Sequence, residues 1–95
     1  MPTKKNSFVV VETVFRPGKD IYRYYRNTAE QAVDRVVTLY NEYRKEIKTA
    51  SGKMPPVLST AHIERMKKEL KATRATSLAS PAKWNQQYTW TIHHI

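Results

Sequence analysis

The chain has no cysteine, only two glycines and no long apolar run. Without cysteine there is no disulfide framework, no thiolate metal site and no cysteine nucleophile. With Gly18 and Gly52 as its glycines, the sequence offers no Gly-rich phosphate loop. Its longest apolar run, Phe8-Val9-Val10-Val11, is too short for a signal-peptide core or a membrane span, so no membrane partner is expected. A cytoplasmic location fits this composition. Acidic residues are also scarce: eight Asp and Glu stand against seventeen Lys and Arg, a formal net charge of +9.

The excess charge is uneven. Residues 1–27 hold six basic and two acidic groups, residues 28–58 five and four, and residues 59–95 six and two. The ends are cationic and the middle is balanced. Self-repulsion of this size does nothing for a fold; it bears on solubility and on partners, and it favours a polyanion or an acidic protein surface.

Ninety-five residues suit one domain with one modest core. Met1–Asn6, polar and basic, should fray. Ser7 to Arg16 is rich in β-branched and aromatic residues and reads as a strand. Arg16-Pro17-Gly18-Lys19-Asp20 reads as a turn, and Ile21 to Arg26 as the second strand of a hairpin, its register left open. Asn27 or Thr28 opens a helix, with a capping box to Glu30 or Gln31. Ala29, Ala32, Val33, Val36, Val37, Tyr40, Tyr43 and Ile47 form one stripe along that helix, and Gly52 stops it. Met54-Pro55-Pro56-Val57 reads as an extended linker.

Ser59 or Thr60 can cap a second helix running to about Thr76, with a narrow seam of Ile63, Met66, Leu70 and Thr73. Ser77 to Lys83 reads as loop. The chain closes on strict alternation: Trp84, Tyr88, Trp90 and Ile92 on one face, Asn85, Gln87, Thr89, Thr91 and His93 on the other. That is a half-buried strand. The expected fold is a single α+β domain of order β-β-α-α-β, a three-stranded, mainly antiparallel sheet with helices on one face.

Little here suggests catalysis. The three His residues lack ligand spacing on a helix, and His93 and His94 should point to opposite faces of a strand. The serines have no triad context, and the carboxylates belong mostly to the charge-balanced face of the first helix. Neither enzyme activity, nor a metal, nor a cofactor is expected.

Two features stand above that background. Lys67, Lys71 and Arg74 are spaced to share one side of the second helix, and Arg65 and Lys68 widen the cationic face. Such a face can neutralise several phosphates, and counterion release would drive the association. A solvated flank whose Lys stems cover the seam is the structural alternative. The second feature is Tyr22-Arg23-Tyr24-Tyr25-Arg26, where Arg23, Arg26 and Tyr24 could stack bases and bind backbone on an open sheet face. Cross-strand packing is its alternative.

The sheet-plus-helix outline is loosely similar to several nucleic-acid-binding α+β modules. The aromatic signature of an RNA-recognition motif and the Gly-pair loop of a KH domain are absent. Short, cysteine-free and strongly charged, the chain also resembles compact accessory proteins of phages and viruses, a likeness of composition. It implies a second class of partner: a host protein or nucleoprotein complex, for example of a defence system, bound in the host cytoplasm. Two expectations follow. Nucleic acid, DNA or RNA, is the first partner class, and an acidic or nucleic-acid-binding protein surface is the second.

Overall fold

The computed structural model describes residues 7–80 and 87–94, and the expectations for Met1–Asn6, Trp84 and Asn85 lie outside them. The element order is β1 (Phe8–Arg16), β2 (Lys19–Asn27), α1 (Ala29–Ser51), α2 (Thr60–Thr73), β3 (Ala75–Ala79) and β4 (Gln87–His94). This corrects the expected three strands to four. The sheet has the order β2-β1-β4-β3, and every neighbouring pair is antiparallel. The added strand, β3, occupies a stretch read as helix end and loop. Its residues Ala-Thr-Ser-Leu-Ala carry little strand propensity, and pairing with β4 supplies the order. The second helix accordingly ends at Thr73 rather than near Thr76, and Thr73 is exposed rather than part of the seam.

The β1–β2 turn is tighter than expected. Arg16 pairs with Lys19, leaving Pro17 and Gly18 as the loop. Pro presets the first central φ of a type II turn, and Gly18 at φ 78° meets the positive second one. Thr28 caps α1: its side chain accepts from the Gln31 amide, and Gln31 answers with a bond from the Thr28 amide. Gly52, at φ 81°, ends α1 in the left-handed region, where its amide donates to the Lys48 carbonyl. Ser59 caps α2 by accepting from His62.

Both helices pack on one face of the sheet. That face presents Phe8, Val10, Glu12 and Val14 from β1 and Tyr88, Trp90 and Ile92 from β4, all buried. Helix α1 contributes Ala32, Val33, Val36, Leu39, Tyr43 and Ile47, and α2 contributes Met66 and Leu70. Leu39 replaces part of the expected stripe, for Ala29 is exposed and Val37 and Tyr40 are half-buried. Trp90 is fully buried amid rings of Tyr40, Tyr43 and Tyr88, with centroids 5.6–5.9 Å away. Edge-on and offset ring pairs of this kind add to the area they bury.

Two buried polar groups are built into this face. The Glu12 carboxylate, 4% exposed, accepts from the Trp90 indole at 2.8 Å and from Arg23 at 3.2 Å. Tyr88 donates its hydroxyl to Glu46 of α1. Burial, and after it the Glu46 carboxylate, push the Tyr88 phenol up to about 12, against a smaller opposing pull from Arg16. A folded value above the unfolded 10.0 means that Tyr88's contribution is fully present below pH 10 and is lost as pH climbs toward 12. Thermal melts across that window should show stability falling with pH. Tyr88→Phe should make the fall shallower; superimposable pH dependences would contradict this.

Candidate functional site

The sequence placed its candidate residues on one helix and one hairpin. The structure puts them in different layers. Helix α2 lies on the covered face of the sheet, its seam Met66 and Leu70 turned inward. Tyr24 and Arg26 stand opposite Val11 and Val9 in the β1 register, out of step with the buried Val10 and Glu12. Alternation along a strand therefore sends them to the face away from the helices. Tyr24 is 68% exposed there, beside Tyr22. Arg23, three residues from Arg26, points to the helix side and holds Glu12.

The α2 candidates also separate from one another. Arg65 bonds Glu69 one turn on at 3.0 Å, and donates to the Ser77 carbonyl of β3 at 3.1 Å. It is thereby engaged as a clamp between α2 and β3. Glu69 accepts from two donors on the one oxygen, Oε1. The Thr76 hydroxyl at 2.6 Å, and after it Arg65, keep its carboxyl below the usual range against some opposing desolvation. Lys67 stands 3.9 Å from Glu64, at the limit of an ion pair between exposed side chains. Lys68 and Lys71 make no ion pair among the described residues. Arg74 caps α2 in the left-handed region at φ 60° and is exposed.

Lys67, Lys68 and Lys71 converge with Glu64 around a surface concavity of about 350 Å³. Lys67 and Lys71 also border a wider groove of about 550 Å³, whose other wall is the first turns of α1, Ala29, Glu30 and Val33. Leu70 joins the two lysines along this groove. The contribution of α1 to this site was not visible in the sequence, because nothing in either helix states which turns meet. The shared side of Lys67 and Lys71 was visible, since a separation of four residues dictates it.

Of the eight candidate residues, then, Lys67, Lys68 and Lys71 line one cationic surface, and Arg74 is exposed at the end of α2. Arg23 and Arg65 have carboxylate partners, and Arg26 and Tyr24 belong to the opposite face of the sheet. Sequence reasoning overlooked Glu12. A single carboxylate inside the alternating Phe8, Val10, Val14 set was its signal, for a charge on a core face calls for a partner.

Comparison with protein-family models, curated proteins and solved structures finds no significant match.

Proposed function

We propose that this domain binds nucleic acid through the outer face of α2, with Lys67, Lys68 and Lys71 as the phosphate-binding groups and Arg74, at the end of the helix, as a further contact. The observation that carries this reading is the gathering of three lysines on one exposed surface, where the nearby carboxylates are Glu64, 3.9 Å from Lys67, and Glu30 across the groove. The net charge of +9 supports it, since such a field steers polyanions to the protein. Lysine ammonium groups on flexible stems suit phosphates of variable position, which are bound as point charges. Glu69 is paired with Arg65 and makes no ion pair with these lysines among the described residues.

The contacts available on α2 are to phosphate. Phosphate contacts position a protein without reading sequence, so this surface should bind with little sequence preference. The test is a titration of wild type against duplex and single-stranded DNA and RNA over a salt series. If three phosphates are neutralised, log affinity should fall with log salt at a slope of about −2.7 on a duplex. A protein that binds none of these nucleic acids at low salt loses this function. The acidic protein surface then takes its place, to be identified as a stoichiometric complex that survives nuclease.

A further inference from the structure

The two edges of the sheet are treated differently. The β3 edge is five residues long, and Arg65 reaches across to bond its Ser77 carbonyl. The β2 edge is nine residues long, and no described residue pairs with its outer side. Native proteins blunt long strand edges because a row of free amides and carbonyls templates another strand. The β2 edge carries no proline and no bulge in its pairing with β1.

The register states which groups are free. Arg16 and Lys19 close a two-residue turn, so they form a hydrogen-bonded pair, and such pairs recur at every second residue. Lys19, Ile21, Arg23, Tyr25 and Asn27 thus direct their backbone groups to β1. Asp20, Tyr22, Tyr24 and Arg26 direct theirs outward. The same four residues carry side chains on the uncovered face of the sheet, where Tyr22 is 52% and Tyr24 68% exposed.

We infer that this edge pairs with the β2 edge of a second copy of the chain, joining two sheets into one of eight strands. An antiparallel two-fold pairing over the full length of β2 centres on Arg23. It sets Asp20 opposite the partner's Arg26 and Tyr22 opposite the partner's Tyr24. Each of these pairs joins residues whose free backbone groups face the partner, so the hydrogen-bonding parity is met without shifting the strand. The one acidic and the outermost basic group of the uncovered β2 face then meet twice, and two Tyr–Tyr pairs lie between them. Self-complementarity of this kind is what an isologous contact demands. Opposite charges and aromatic rings are the favourable cross-strand pairs of a sheet. At the centre, Arg23 and the partner's Arg23 come together, but each of these side chains is already directed to a Glu12 carboxylate on the helix side. The cationic α2 helices stay apart, because α2 packs beside β3, at the far side of the sheet from β2.

The pairing is tested by sedimentation of wild type, Asp20→Arg, Arg26→Asp and the Asp20→Arg/Arg26→Asp double variant over a concentration series. Wild type should associate to a dimer. Each single reversal sets like charges opposite each other twice per dimer and should weaken it about tenfold. The double variant restores both opposite-charge pairs and should recover wild-type affinity. Tyr24→Pro, which removes an outward amide but no bond to β1, should also weaken the dimer in a protein whose circular dichroism shows it folded. A wild type that stays monomeric throughout overturns the inference. So do single reversals as dimeric as wild type, or a double variant no better than the singles. If wild type is monomeric and Tyr24→Ala instead loses affinity for single-stranded nucleic acid, this edge and face serve a nucleic-acid strand and not a second copy.

Discussion

Replacing Trp90 with Ala is expected to destabilise the domain by about 3–5 kcal/mol, the range for large aromatic truncations in cores. The site has every feature that places it in the upper part of that range. Trp90 is fully buried on β4, the strand that joins β1 to β3. Its ring lies against Tyr40 and Tyr43 of α1, so truncation opens a void between sheet and helix. The indole N–H is also a partner of Glu12. Truncation leaves that buried carboxylate with Arg23 alone, and an under-satisfied buried acceptor adds its own desolvation penalty. A domain of this size commonly has a total stability of only 5–15 kcal/mol, so the variant should be marginal. Chemical denaturation of the two proteins measures the difference. A midpoint unchanged from wild type would contradict the assigned core.

Much of this architecture was legible because it is carried by local rules. The Thr28–Gln31 capping box, the stop at Gly52 and the alternation of Tyr88, Trp90 and Ile92 each depend on residues close in sequence. The hairpin was legible as well, and Pro17-Gly18 marks its turn. Its register was not: a one-residue slip exchanges the two faces, and the deciding contact is Glu12 with Arg23 and Trp90, from three strands. Strand β3 was missed for a related reason. Its small residues have no strand signature of their own, and Arg74 ends α2 in a left-handed conformation that usually falls to glycine.

The candidate site was legible as charge and as the shared side of Lys67 and Lys71, but not in which of its cations stay free. A count of basic residues treats Arg65 and Lys71 alike. In the fold Arg65 is held by Glu69 and the Ser77 carbonyl, while Lys71 faces the solvent with Lys67 and Lys68. Likewise Arg23 and Arg26 look equivalent in the hairpin, and alternation sends them to opposite faces. What remained hidden was tertiary: the pairing of Arg23 with Glu12 across two strands, the bond from Arg65 to the Ser77 carbonyl, and which turn of α1 walls the groove beside α2.

Binding through α2 is tested by comparing wild type with the Lys67→Gln/Lys68→Gln/Lys71→Gln variant in nucleic-acid binding over a salt series. Gln is a fair helix former, and the buried seam of Met66 and Leu70 is untouched, so the variant should melt close to wild type. Each lost phosphate contact lowers the magnitude of the salt slope by about 0.9 on a duplex, so three lost contacts lower it by about 2.7. The variant should bind much more weakly and with almost no dependence on salt. Matching changes in Arg35, Arg44 and Lys45 of α1 should matter less, since Arg35 lies over the Tyr25 ring and Arg44 is tied to the Pro55 carbonyl and Asn41. A folded α2 variant whose affinity and salt slope equal those of wild type would show that nucleic acid is not bound through these lysines.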